Sequence, residues 1–190
     1  MTSASVIGKI LSDIRVELSS EFDRNFERQA FFSKAWARHK SPTKPGAHIL
    51  VKSGALRRSI RSHSDANSIT FSSDLPYSQI QNDGGQIKVT AKMKKYFWAK
   101  YYEAVGGFGR KKNGELRADK RNNELNTWAE FYKHMALMKV GSMITIPKRQ
   151  FIGTAPELEA EVKEIIQYNI EQFIDDNFDE IIKKYDKRTL

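Results

Sequence analysis

Asp74 and Asp83, which flank Tyr77, are the carboxylate pair most suited to acid–base chemistry or to binding magnesium. Either chemistry needs a further ligand or a base at a matched spacing, and the sequence offers none beside them. The histidines are dispersed, without the close spacing of a metal site: His39, His48, His63 and His134. We therefore expect no enzyme activity, no metal and no cofactor. A magnesium-dependent nuclease that uses both aspartates ranks third, behind the two hypotheses given below.

Two basic segments could bind phosphate. Residues 106–112 place glycines beside an arginine and lysines, which attract anions, but they lack the Gly-Lys-Ser/Thr ending of a P-loop, so we interpret them as a turn. Residues 92–102 interleave lysines with aromatic side chains. Such a run can stack bases while its lysines hold phosphates, or it can bury its aromatics against the fold or a neighbouring subunit. The residues alone leave both interpretations open.

Charge is unevenly distributed along the 190 residues, whose formal net charge is +9. Residues 88–121 contain 11 basic and 3 acidic residues, whereas residues 154–190 contain 5 basic and 10 acidic residues. This polarity would suit head-to-tail contact between copies of the chain, and it would equally suit attraction to a nucleic-acid backbone.

The composition predicts one folded domain, residues 1–190, of ordinary core size. Cysteine is absent, which excludes disulfides and thiolate zinc sites and fits a reducing cytoplasm. No apolar run approaches the length of a membrane span, and charged residues interrupt the N-terminal apolar stripe. We expect a soluble, intracellular protein without membrane contact.

Helical periodicity is clearest at the two ends of the chain. Apolar residues recur at steps of three and four from 6 to 30, and again from a proline-containing capping box at 154–157 almost to the C-terminus. The second helix would be about 45 Å long at 1.5 Å per residue, more than one small sheet can cover. Its overhang should pack on the first helix or on another subunit.

The central part predicts shorter elements. Prolines and a glycine at 41–46 break any helix, and residues 49–60 fit a short helix. Alternating apolar residues predict strands at 68–72, 86–90 and 142–146, which suggests one small antiparallel sheet. Residues 91–141 form a long basic insertion, which we expect to be partly flexible. The fold class is therefore α+β, with both long helices packed on the sheet.

Three short motifs occur in order: SGALRRSI at 53–60, YSQIQNDG at 77–84 and PKRQFIG at 147–153. Each resembles a motif of the phage virion morphogenesis family, the tail-completion and head-tail joining proteins of Mu-like tailed phages. Trp36 is similar to the tryptophan that the family places before the first motif. Ser78 stands where alanine is usual, and the 91–141 insertion is longer than a minimal member requires. The resemblance covers about residues 36–153.

The resemblance implies a non-enzymatic structural protein at the neck or tail. Its partners would be copies of itself in a ring, together with other phage neck or tail proteins. It would act in the host cytoplasm during assembly and then reside in the virion. The alternative from the residues themselves is a nucleic-acid-binding accessory protein that uses the basic aromatic segment 88–121.

Two sets of residues are predicted to carry these roles. The candidate contact residues are basic or aromatic, types that dominate interface energetics: Arg57, Arg58, Tyr96, Phe97, Trp98, Tyr101, Lys148 and Arg149. The candidate fold-determining residues are bend-forming or buried motif positions: Gly54, Leu56, Tyr77, Gly84, Pro147, Phe151 and Gly153.

Overall fold

The computed structural model describes residues 3–43 and 46–186 and has an α+β fold, as the sequence predicts. In chain order, its elements are α1 (Ser3–Arg28), β1 (Ala30–Phe31), β2 (Lys34–Ala35), α2 (Ala55–Ser59), β3 (Ile60–Ser64), β4 (Ile69–Ser73), α3 (Ser78–Asp83), β5 (Gly85–Lys88), α4 (Ala91–Gly106), α5 (Lys120–Leu137), β6 (Met143–Ile146) and α6 (Pro156–Asp186). Across the described residues, none of the helices has the length and hydropathy that crossing a membrane requires.

The strands form separate antiparallel pairs, so the expectation of one small sheet was wrong. Strand β1 pairs with β2, β3 with β4, and β5 with β6. The predicted strands at 86–90 and 142–146 pair with each other, with Ile87 opposite Ile144. The predicted strand at 68–72 instead pairs with β3, which lies partly inside the helix expected at 49–60. Only Ala55–Ser59 of that expected helix is helical.

The chain divides into two compact units. The first, which we call the core unit, contains residues up to Trp36, His48–Ser78 and the chain from Arg149 onward. The second, which we call the hairpin unit, contains Ala37–Ala47 and Gln79–Lys148.

Helices α1 and α6 pack together in the core unit. On α1, Ile14, Leu18 and Phe22 recur every fourth residue and are buried, because this spacing keeps side chains on one face of a helix. They form a cluster with Phe31, Ala155 and Leu158, against which β4 and the first half of α6 pack. Phe22 meets the ring of Phe71 of β4 edge to face, with ring centroids 4.8 Å apart.

A second cluster of the core unit gathers three family-like motif positions. Phe26, Trp36, Leu56 and Phe151 are buried together with Ile49. The Trp36 ring packs edge to face on Phe26 at 5.5 Å, and its Nε1–H donates to the carbonyl of Gln150 at 2.6 Å. Segments that are distant in sequence therefore pack together in one hydrophobic cluster: 26–36, 49–56 and 150–151.

The hairpin unit is dominated by α4 and α5, which pack along each other. Small buried side chains, Ala104, Ala129 and Ala136, let the two helix backbones approach closely. The buried Asn122 side chain fixes the connection: it accepts from the Gly109 N–H at 2.8 Å and donates to the Gly109 and Arg117 carbonyls. Residues 91–141 thus contain a helical hairpin whose connecting segment is tied down by hydrogen bonds.

Candidate interaction surface

The outer side of α4 combines exposed lysines with exposed tyrosines. Thr90 caps the helix, since its Oγ1 accepts from the Met93 N–H at 3.1 Å, which is a standard helix start. Lys92, Lys95 and Ala99 are exposed along the helix. Tyr96 is 56% exposed and Tyr102 is 65% exposed. We call these five positions, from Lys92 to Tyr102, the α4 outer face.

The other aromatic residues predicted for contact lie further in. Phe97 packs across the hairpin on the α5 rings of Phe131 and Tyr132, with centroids 6.4 Å from each. Trp98 is half-buried and stacks on Tyr102 at 5.9 Å, while the half-buried Tyr101 meets Tyr102 edge to face. The α4 outer face therefore rests on a supporting layer of rings. Tyr102, the last residue of the aromatic run, is more exposed than Phe97, Trp98 or Tyr101 and is therefore a better candidate for contact.

Two titrating groups near this face respond to their surroundings. Lys100 Nζ lies 2.6 Å from the Glu103 carboxylate, which raises the pKa of Lys100 and keeps it charged. Burial raises the pKa of the Tyr132 hydroxyl, with nearby Tyr96 as a further cause. Lys100 thus carries a positive charge at neutral pH, and the Tyr132 hydroxyl stays neutral.

The first motif uses its arginines within the chain. Arg57 donates to the carboxylates of Asp23 and Glu27 on α1, and these contacts raise the pKa of Arg57 and lower the pKa of Asp23. Arg58 Nη2 donates to the Ser53 carbonyl at 2.8 Å, over the bend at Gly54. Arg57 therefore fastens the motif to α1, and Arg58 closes the bend within the motif. The predicted role of both arginines in contacts stays a prediction.

The basic pair of the third motif is divided between the surface and the interior. Lys148 is exposed, whereas Arg149 is only 6% exposed. Burial lowers the pKa of the Arg149 guanidinium. Lys148 is thus the member of the pair that a partner could reach, and no sequence pattern indicated this division.

The remaining motif positions are built into the fold, with one exception. Leu56 and Phe151 are buried, as expected. Tyr77 was expected to be buried but is 44% exposed, because it follows Pro76 in a turn before the short helix α3. Pro147 is half-buried just after β6, and Gly153 takes a positive φ of 137° before α6 begins. Gly84, which directly precedes β5, adopts a φ of 74°.

A further surface lies on the second half of α6. Beyond Ile166, which packs against the α1 cluster, a row of apolar side chains continues at four-residue steps and is exposed: Ile170, Ile174, Phe178 and Ile182. We call this row the α6 stripe. The periodicity of the sequence predicted that these residues share one helix and that part of the helix extends beyond the sheet. It could not predict which of them are exposed, because that depends on how much of α6 is covered by α1.

Three carboxylates meet where α1 contacts α6. Among the described residues, Glu17, Glu21 and Glu161 offer oxygens within 4.8 Å of one another. Arg24 and Arg28 donate to the buried Glu21, so arginine side chains already supply positive charge there. One Glu161 oxygen is buried without a hydrogen-bond partner. Burial, and then Glu17, raise the pKa of Glu161.

We predict that Glu161→Gln stabilises the protein at neutral pH. Because the folded-state pKa of Glu161 is raised, the stability of the wild-type protein falls as pH rises from the usual carboxyl range through that raised pKa. A neutral amide removes this cost, so the free energy of unfolding should increase by about 1 kcal/mol at pH 7, and the gain should shrink toward pH 4.

Urea denaturation across this pH range measures the gain. Glu130→Gln, at an exposed position on α5, is the control and should leave stability nearly unchanged. Equal stabilisation of the Glu161→Gln variant at low and neutral pH would show that ionisation of Glu161 is not the cause.

The aspartates considered for chemistry are not part of a metal-binding group that the described residues form. Asp74 follows β4 in the core unit, whereas Asp83 ends α3 in the hairpin unit. Asp83 accepts a hydrogen bond from the neighbouring Asn82 amide at 2.8 Å. Neither aspartate belongs to the carboxylate group at Glu17, Glu21 and Glu161.

The chain matches a known protein family model. The model described as the phage virion morphogenesis family matches residues 5–171. The match begins in α1, contains all three motifs and the α4–α5 hairpin, and ends within α6. No curated protein and no solved structure matches the chain.

Proposed function

The chain belongs to the phage virion morphogenesis family, and from that premise we propose that it completes the tail or joins head to tail. It does so as a non-enzymatic structural subunit. The family thus gives a role in building the phage particle, and the step within assembly is our proposal. The match over residues 5–171 is the observation that carries it.

The distribution of residues supports a structural role. The motif residues Leu56 and Phe151 build the hydrophobic cluster around Trp36, and Arg57 ties the first motif to α1. The motifs therefore stabilise a scaffold. The α4 outer face and the α6 stripe each group several exposed apolar or aromatic residues on one side of a helix, and such surfaces are of the kind that protein partners cover.

We propose that the partners are further copies of this chain, arranged as a ring, together with neighbouring neck or tail proteins. A ring is the closed form that head-to-tail contacts between identical subunits produce. The chain would assemble in the host cytoplasm and remain in the finished virion at the neck or tail.

Deletion of the gene from its phage tests the proposal. Electron microscopy of the lysate should show filled heads and separate or unfinished tails in place of joined particles, and infectious titre should collapse. Expression of the chain from a plasmid should restore both readouts. Joined, infectious particles in the absence of the chain would refute the role in tail completion or head–tail joining.

A further inference from the structure

We propose that the α6 stripe of one copy binds the α4 outer face of the next copy. This contact rests on the proposed function, which requires copies to associate, and it specifies the two surfaces that would meet. The contact is heterologous, because each copy contributes a different surface to each of its two neighbours.

The α6 stripe has the properties of an unpartnered helix face. Ile170, Ile174, Phe178 and Ile182 lie at successive four-residue steps, which places them in one row. They span about 18 Å at 1.5 Å per residue. Phe178 is 57% exposed. An apolar row of this length is the kind of surface that a helix groove on a partner accommodates.

The α4 outer face offers a surface of matching size. Lys92 and Tyr102 are ten positions apart, which is about 15 Å along the helix. The small Ala99 lies between the exposed rings of Tyr96 and Tyr102. Because the alanine side chain is small, an isoleucine or phenylalanine of the partner helix can approach the α4 backbone there and contact the two tyrosine rings.

The charges of the two helices are opposite. Helix α4 contains four lysines and one glutamate, whereas α6 contains ten acidic and three basic residues between 156 and 186. Glu171 and Asp175 each follow a stripe residue directly and are exposed, so they flank the row. Lys92 and Lys95 are similarly exposed beside the α4 tyrosines. Opposite charges around an apolar centre favour this pairing.

The same charges disfavour symmetric pairings. An α6–α6 contact between two copies would bring two acidic rows together, and an α4–α4 contact would bring lysines against lysines. Like charges across an interface act against association. The head-to-tail arrangement is the one in which both surfaces meet a complementary partner, and it leaves each copy with one free surface for the next.

Two double variants test the contact. Ile174→Glu with Phe178→Glu alters the α6 stripe, and Tyr96→Glu with Tyr102→Glu alters the α4 outer face. All four side chains are exposed or largely so, so circular dichroism and urea denaturation should show retained folding. Sedimentation velocity should show that wild-type chains associate as concentration rises and that each variant weakens this association at least tenfold.

Mixing the variants gives the decisive result. The α6 variant retains its α4 face and the α4 variant retains its α6 stripe, so an equimolar mixture can form one intact contact. It should yield a species of about twice the 21.9 kDa monomer mass and nothing larger. The matched controls, Tyr168→Glu on another side of α6 and Leu137→Glu on α5, change exposed apolar residues outside both surfaces and should associate like the wild type.

Three results would overturn the contact: a wild-type chain that stays monomeric at its highest soluble concentration, a mixture that forms no dimer, or controls that weaken association as much as the variants do. A monomeric wild type that retains a DNA duplex at low salt through Tyr96 and Tyr102 would assign the α4 face to nucleic acid instead. Wild-type chains that assemble head to tail but do not restore particles would refute the proposed function and leave the contact intact.

Discussion

Phe151→Ala should lower the free energy of unfolding by about 4 kcal/mol. The Phe151 side chain is 0% exposed and lies against Phe26, with ring centroids 5.4 Å apart. It shares a cluster with Trp36 and Leu56, so its truncation would leave a cavity bounded by segments distant in sequence. The fixed positions of those segments limit how far the cavity can collapse.

Urea denaturation measured by circular dichroism would test this expectation. Phe151→Leu should cost less, since it retains most of the apolar volume. Tyr77→Ala is the matched control, because it removes an exposed aromatic ring from another family-like motif and should cost less than about 1 kcal/mol. Equal losses for Phe151→Ala and Tyr77→Ala would contradict the assignment of Phe151 to the core.

Gly84→Ala should destabilise the hairpin unit by about 3 kcal/mol. Gly84 has a φ of 74°, a conformation that costs any residue with a Cβ. A Cβ at this position would also lie 2.8 Å from the Lys148 backbone nitrogen and 3.2 Å from the Ile146 carbonyl oxygen. Since both neighbours are backbone atoms, the β5–β6 pairing itself would have to shift.

The Gly114→Ala variant separates the cost of backbone strain from the cost of the close approach to Lys148. Gly114 has a φ of 86°, yet a Cβ there would meet no atom within 4 Å, so its substitution should cost about 1 kcal/mol through backbone strain alone. Denaturation followed by the fluorescence of Trp98 and Trp128, both in this unit, would compare the variants. Similar losses at the two glycines would show that the close approach to Lys148 has no energetic consequence.

The long helices were predictable because their periodicity is strong. Ile14, Leu18 and Phe22 mark the buried side of α1 at a constant spacing, and Pro156 lies at the first position of α6, as the capping box indicated. The ends of both helices agree with the pattern to within a few residues. Periodicity indicated which residues share a face, but it could not show how much of α6 is left uncovered by α1.

The pairing of the strands could not be predicted from the alternation of polar and apolar residues. The half-buried positions of β3 are Ile60, Ser62 and Ser64, and two serines give no apolar signal. Its partner β4 has Ile69 and Phe71 at the corresponding positions. The sequence pattern therefore predicted only β4 of this pair as a strand. Without β3, the visible strands at 68–72, 86–90 and 142–146 were grouped into a single sheet.

Helix α5 was missed for a related reason. Its buried positions are Asn122, Ala129 and Ala136, so the side that faces α4 is small or polar and resembles a solvated segment. The hydrogen bonds of Asn122 to Gly109 and Arg117 join residues across the connection. Only tertiary structure distinguishes this buried asparagine from the neighbouring exposed Asn123.

The candidate contact residues could be predicted by type but not by exposure. Tyr96 and Lys148 are accessible, whereas Phe97 supports the hairpin interior and Arg149 is buried. A run of aromatic residues on a helix always divides between inner and outer faces, and the division depends on where the neighbouring helix packs. On α4, the structure leaves Tyr96 exposed beside Tyr102 and exposed lysines, and the predicted contact role of these residues stays a prediction.

The most direct test of a structural role in particle assembly is complementation with purified protein. Increasing amounts of the chain are added to a lysate that lacks it, and infectious titre is measured after assembly has finished. We predict that the final titre rises in proportion to the protein added and reaches a plateau at a fixed number of copies per particle. Full titre at amounts far below one copy per particle, or no gain at any amount, would contradict a stoichiometric structural role.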